Sequence, residues 1–483
     1  MSKLYVVVQS QAYFVDTAWG YGTPREGMRA MADLHHRYQI PVTWFVTPRS
    51  AADMAQWLTL WHQKYGDAVA QWMTYPREKW GVPQLHTQDK DFADEKQGEK
   101  GYFLHASEAE MKTHISADRA AIQRVLPWAE LKVAAHGLVS RNLLHALDAL
   151  GYRGYGGHCW NQEGTDGLTH KGIPFNPWYI NPDAQKASLQ NKRGLVGTHW
   201  LALDLTSAYH SRATSIYSND PNDTQRAHIC RDRDIDFLKN FFDFYRENAR
   251  ENTFFYMVWH NESHEMQWGK HMRTYPPDKI DDTMLQMDEY ARYARQFEDV
   301  EFVTLPQLVD LYRRQFEKTP PTYYLAPGAD CPEPYFYPEL NEIARNPANP
   351  KPPYPETFFY YDDECYLIFR EGGSIPLETN DYTKAYRTTV NEVYPTEPAY
   401  KVKEIREKSA ATRKEFFVVV DSPNRQVSGL ALWGDWKGWE FVSAPEGSRV
   451  YRNKVAFYKF HLTPGENAFH LYLEKGSKPR QKT

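Results

Sequence analysis

Apolar residues in this chain come in short unbroken runs, and the runs alternate with longer segments whose apolar positions fall three and four apart. Residues 4–9 (LYVVVQ), 42–46 (VTWFV), 68–73, 131–135 (LKVAA), 152–156, 194–203, 254–259 and 300–303 are of the first kind. Such runs, rich in β-branched and aromatic side chains and without polar alternation, predict strands buried on both faces. Between them the periodicity predicts helices over about 24–38, 50–65, 107–126, 141–150, 232–248, 278–297 and 305–316. Thr23, Pro24 and Glu26 form a capping box, Ser50 and Ser140 stand as N-caps, and Gly151 ends a helix. Strand and helix in alternation predict parallel strands.

Three excursions interrupt this order. Residues 84–100 are polar, 162–193 carry Pro174, Pro177 and Pro182 among Phe175, Trp178 and Tyr179, and 207–230 contain the turn-rich SNDPND. Long loops in compact domains are often functional, so the second is expected to form a lid or an aromatic wall. Beyond residue 318 the texture changes. Residues 319–355 are crowded with proline and predict a surface linker, 356–476 carry recurrent short β-rich runs, and 477–483 form a basic tail. The expected fold class is α/β: an irregular barrel of seven or eight βα units over 1–318, carrying any catalysis, followed by an all-β immunoglobulin-like sandwich.

At 483 residues the chain has room for two or three domains of about 150 residues or more. A net charge of -5 provides no basic field for nucleic acid or an anionic membrane surface. No run of about 18 apolar residues predicts a membrane span. The apolar run after Met1 is too short for a signal sequence. Cys159, Cys230, Cys331 and Cys365 lie far apart with no C-x-x-C pair, which points to free thiols in a reducing compartment, so a cytoplasmic location is expected. Fifteen tryptophans and 33 tyrosines lean toward a carbohydrate ligand, because aromatic faces stack on sugar rings. Oligomeric state is not set by any of this.

Candidate chemistry concentrates in residues 253–268 (TFFYMVWHNESHEMQW), where a buried strand surfaces into His260, Asn261, Glu262, His264 and Glu265. An α/β barrel presents its chemistry in this way, at the carboxyl ends of its strands. The same reading puts Gln9, Asp16, Arg49, His136, His158 and His199 at or near strand ends, and sets Trp19, Trp160, Trp178, Tyr179 and Trp268 around the mouth as sugar contacts. A single histidine in such a position is commonly a hydrogen-bonded bystander. If His260, Glu262 and His264 share a divalent, zinc-like ion, it polarises a carbonyl and activates water. Without a metal, Asp16, Glu262 and Glu265 suffice for paired-carboxylate glycoside hydrolysis. A third possibility is a barrel that keeps glycan binding and has lost its chemistry.

Residues 40–46 (IPVTWFV), 150–155 (LGYRGY) and 301–311 (EFVTLPQLVDL), in that order, resemble the NodB-like polysaccharide deacetylases and their relatives among barrel glycosidases, over roughly residues 4–318. The resemblance implies an irregular (β/α) barrel acting on acylated sugars, usually with a divalent metal, and gives His260 the role of general acid. His136 would stabilise the substrate or a ligand. Two departures stand out. Gln9-Ser10 occupies the place of the family's adjacent aspartates, and Gln71-Trp72-Met73-Thr74 that of its paired-histidine metal motif. By position, Asp16 and His264 are the replacements. Residues 432–439 (LWGDWKGW) are similar to the G-D-W…W segment of immunoglobulin-like modules beside starch and glycogen enzymes, where the tryptophans either hold glycan or pack the sandwich.

Overall fold

The structure, a computed structural model, describes residues 2–12, 24–76, 79, 101–103, 105–136, 139–156, 175–181, 186–187, 194–199, 202–207, 218–221, 224, 229–230, 234–261, 277–327, 356–362, 366–370, 373–376 and 400–476. Its first part runs β1 (Leu4–Gln11), α1 (Pro24–Arg37), β2 (Val42–Val46), α2 (Pro48–Tyr65), β3 (Ala68–Trp72), α3 (Glu108–Val125), β4 (Val133–Ala135), α4 (Arg141–Ala149), β5 (Gly154–Gly156), β6 (Trp178–Asn181), β7 (Lys186–Ala187) and β8 (Val196–Thr198). It continues with α5 (Asp236–Ala249), β9 (Tyr256–His260), α6 (Pro277–Arg295), β10 (Val300–Phe302) and α7 (Leu305–Gln315). The predicted helices are present. At α2 the cap is Thr47, with Ser50 completing the box from inside the helix, because Pro48 already fits the first turn.

The strands form one curled sheet with β1, β2, β3, β4, β5, β8, β9 and β10 parallel. β9 takes one edge of β1 along Tyr5 to Gln9, so β2 and β10 share the other edge. Register fixes the faces. Tyr5, Val7 and Gln9 lie opposite Tyr256, Val258 and His260, and the same face continues through Phe45, Ala70, Trp72, Ala135, Gly156 and Thr198. The alternate residues meet the surrounding helices: Trp259 stacks on Tyr290 of α6, Trp44 on Trp61 of α2, and Gln71 donates to the Ile115 carbonyl of α3. The first set therefore lines the concave side.

Helix α7 occupies that concave side at its lower end. A Cβ at Gly154 would lie 2.7 Å from Val309 Cγ2, and one at Gly156 3.0 Å from Leu305 Cδ2, so β5 has glycine where the helix passes. Asp310 pairs with Lys132 and Arg153, Arg313 donates to the Gly194 carbonyl and Gln315 to that of Thr253. These four residues lie just before β4, β5, β8 and β9. The helix thus closes the amino-terminal rim, and binding chemistry is left to the carboxyl rim.

Two expectations are corrected here. The excursion over 162–193 contains β6, which pairs antiparallel with β8, and Trp178 and Tyr179 are fully buried in it. Trp178 lies across Gly197, where a Cβ would come within 2.5 Å of its ring. The Tyr179 hydroxyl donates to the Phe316 carbonyl at the end of α7, the rim opposite the candidate site. Both side chains belong to the core of the curled sheet. The second correction concerns the linker, whose start is β11 (Thr322–Ala326), buried along its whole length and paired with β12 (Thr357–Tyr361). β13 (Tyr366–Arg370) and β14 (Gly373–Pro376) complete this small sheet, and its β11–β12 part is covered on both sides. Tyr324, Ala326, Phe359 and Tyr361 join the core of the curled sheet, while Tyr323, Leu325, Phe358 and Tyr360 pack on Ala431, Tyr451, Val455 and Phe457. That accounts for the aromatic runs without alternation.

The remaining strands are β15 (Lys401–Ser409), β16 (Arg413–Ser422), β17 (Gln426–Trp433), β18 (Trp439–Phe441), β19 (Arg449–Tyr451), β20 (Val455–Leu462) and β21 (Gly465–Lys475). They form two antiparallel sheets, ordered β15-β16-β21-β18 and β17-β20-β19, that share one core. Trp436 and Trp439 are buried in that core, with the Trp436 indole donating to the Leu432 carbonyl at 2.8 Å. Among the described residues, no helix is long and apolar enough to cross a membrane.

Candidate functional site

His260 is the last residue of β9, on the concave face at the carboxyl rim, and is 2% exposed. Gln9 faces it in register from β1 and is also buried. Further round the rim, the Thr198 hydroxyl of β8 is buried with no hydrogen-bond partner in the structure. The flank between β8 and β9 is held by three contacts. The Tyr256 amide donates to the Phe175 carbonyl at 3.0 Å, the Tyr256 hydroxyl accepts from the His199 amide at 2.5 Å, and Asn219 Nδ2 donates to the Val258 carbonyl at 2.8 Å. Burial drives the Tyr256 phenol far above its ordinary range, so it stays neutral. Asn219 Oδ1 is buried with no hydrogen-bond partner in the structure, a second unsatisfied oxygen on this side of the barrel.

The orientation of His260 is fixed by its neighbour. The Asn261 amide donates to the Gln9 carbonyl at 3.0 Å, and its side chain lies 3.1 Å from His35 Nε2 on the convex side. His35 Nδ1 faces the Met31 carbonyl at 2.9 Å and must donate there, so Nε2 accepts from Asn261 and the ring is neutral. Burial lowers the His35 pKa to about 4, against the opposing pull of the Met31 carbonyl. With Asn261 turned out to α1, strand alternation turns His260 inward.

His136 follows β4 and is held between rings, 4.9 Å from Trp72 and 4.3 Å from Phe103, while its carbonyl accepts from the Tyr155 hydroxyl at 3.0 Å. Arg49 is exposed in the first turn of α2, just past the end of β2. The structure therefore brings His260 and Gln9 together, joins the end of β8 to the start of β9 through Tyr256, and puts His136 on the β3–β4 side of the rim. Asp16, Trp19, His158, Trp160, Glu262, His264, Glu265 and Trp268 lie outside the described residues, as does the capping residue Thr23. Gln71-Trp72-Met73-Thr74 is explained by its faces. Gln71 and Thr74 serve α3, Thr74 donating to Asp118 at 2.5 Å with His114 Nε2 at 2.9 Å, and the inward residue is Trp72. Burial raises the Asp118 pKa.

Among the described residues, no three His, Cys, Asp or Glu side chains come together as a metal site. Sequence reasoning passed over Thr198, Asn219, Tyr256 and His35, and gave Asn261 no role of its own. Tyr256 sat unnoticed inside an apolar run, and Asn219 sat in a turn-rich segment whose return to β9 no local pattern shows.

No protein-family model and no curated protein matches the chain. Similar solved structures include a Mycobacterium smegmatis protein described as a polysaccharide deacetylase, at 11% identity and TM-score 0.37 over 65% of this chain and 91% of that one. Puue allantoinase gives 10% and 0.40 over 66% and 93%. A 4-alpha-glucanotransferase from Thermococcus litoralis gives 8% and 0.37 over 98% and 99%. Likenesses this distant carry no argument about activity, which rests on the chain's own residues.

Proposed function

We propose that the chain is a carbohydrate-directed hydrolase of the deacetylase type, with His260 as general acid at the carboxyl rim of a (β/α) barrel. The supporting observation is the placement of His260: buried, concave-facing, beside Gln9, and held by Asn261 and His35. In this reading water adds to the acyl carbon of an N-acylated sugar while Asp16 or Glu262 takes its proton. The Gln9 carboxamide donates to the oxygen that gains charge. As the carbon–nitrogen bond breaks, His260 passes its proton to the leaving amine. His136 and Arg49 border the bound sugar, with Trp19, His158, Trp160, His199 and Trp268 as further contacts. No step is routed through a metal. The two C-terminal sheets are read as an immunoglobulin-like module, whose buried Trp436 and Trp439 give it packing rather than a glycan platform.

The test offers N-acetylated and plain oligosaccharides to the full chain and measures acetate and new reducing ends side by side, with and without chelator. Acetate without reducing ends supports the proposal. Reducing ends without acetate assign glycosidic cleavage by Asp16 and Glu262 instead, and binding without either product assigns a glycan-binding barrel.

A further inference from the structure

Strand β15 is the edge of its sheet: among the described residues it pairs through one side only, with β16. It is nine residues long and exposed throughout except for Val402, which is half-buried. Its position over the core is anomalous. Ile405 is 40% exposed although its register partner Val418 is fully buried, because β15 overhangs the three-stranded sheet that covers β16 and β21. An exposed edge of this length is a template for another strand, and natural edges are commonly guarded by charge and by bulges. Here both guards are present, since the register shifts between Val402 and Glu404 and the strand reads KVKEIREKS.

The order of those charges singles out one partner. We propose that β15 docks antiparallel on β15 of a second copy of this chain, about a two-fold axis through Ile405. In that register Glu404 stands opposite Arg406 of the second copy, Arg406 opposite its Glu404, and Ile405 meets Ile405. The next pair out sets Lys403 against Glu407. Moving the axis by one residue either way brings Glu404 onto Glu404 or Arg406 onto Arg406, so one register is favoured and its neighbours are penalised. Within one chain, Arg406 and Glu404 already pair at 2.8 Å on an exposed face, an interaction worth little and readily exchanged for a cross-chain partner. Charges that repel arbitrary strands therefore accept this one. The two sheets then join edge to edge.

Sedimentation of the full chain over a roughly hundredfold concentration range tests this. The wild type should shift from monomer to dimer with concentration. Arg406→Glu sets four carboxylates around the axis and Glu404→Arg four guanidinium groups, so each alone should stay monomeric. An equimolar mixture of those two variants should form the heterodimer, and Glu404→Arg/Arg406→Glu together should restore the homodimer. At concentrations where the wild type is monomeric, the melting temperatures of all variants should lie close to its own, because both residues are exposed, and Ile405→Lys serves as an independent monomeric control. A wild type that stays monomeric throughout, or single variants that dimerise like the wild type, overturns the proposal.

Discussion

Asn248 of α5 and Asn252, three residues beyond its end, stand in for a missing strand, and removing Asn252 should cost more stability than removing Asn248. Asn252 Oδ1 accepts from the Tyr323 amide at 3.0 Å and the Thr322 hydroxyl at 2.9 Å, and its Nδ2 donates to the Tyr323 carbonyl at 2.9 Å. Asn248 Oδ1 accepts from the Leu325 amide at 2.8 Å and its Nδ2 donates to the Leu325 carbonyl at 3.1 Å. The Asn252 amide donates to the Asn248 carbonyl at 3.2 Å, which keeps the two side chains about one turn apart, and alternate residues of β11 present their backbone to the same edge, so the spacings match. In Asn252→Ala both backbone groups of Tyr323 lose this partner in a buried setting, at about 1–3 kcal/mol each. The expected loss is about 2–6 kcal/mol. Asn248→Ala should lose about half as much, because Arg452 also donates to the Leu325 carbonyl at 2.8 Å. Urea denaturation measures the losses, and hydrogen exchange over 322–326 should show protection falling in the same order. A loss under about 0.5 kcal/mol for Asn252→Ala would show that water replaces the amide and that the strand mimicry contributes nothing.

Three further outcomes follow from buried contacts. The His35 pKa is about 4 when folded and ordinary when unfolded, so between about pH 6.5 and 4 the unfolded chain carries the extra proton. Stability from this group is complete above that window and lost as pH falls through it, by up to about 3 kcal/mol, and the urea midpoint of His35→Gln should lack that component relative to the wild type. Lys459 and Asp362 form a buried pair at 2.5 Å, joined by the Tyr360 hydroxyl at 2.9 Å, so Lys459→Met should cost about 3–5 kcal/mol in chemical denaturation by stranding the carboxylate. Gly154→Ala should cost about 1–3 kcal/mol through its contact with Val309, and Gly154→Ala/Val309→Ala should cost less than the two single changes summed, when measured by thermal melting.

The elements with strong local signals were legible in the sequence. Unbroken apolar runs gave β1, β2, β3 and β9, and the 3.6 period gave α3, α4 and α7, with Ser140 capping α4; the caps Ser107 and Thr304 are seen in the structure. What failed depended on distant partners. β6 hides among prolines, and only Gly197 across the sheet makes room for Trp178. β11 lies in a proline-crowded stretch and owes its edge to two asparagines about 75 residues earlier. β15 has no apolar face, so alternation could not reveal it. At the site, His260 was visible because a strand ended on it. His35 looked like one more helical residue, and its bond to Asn261 spans 226 positions.

The most direct test of the hydrolase reading is single-turnover acetate release from an N-acetylated oligosaccharide by wild type and His260→Gln, with circular dichroism confirming equal folding. A general acid contributes about 10² to 10⁴ in rate, so the variant should slow by that factor with substrate affinity little changed. Equal rates in the two proteins, or no acetate from the wild type, would contradict the assignment of His260.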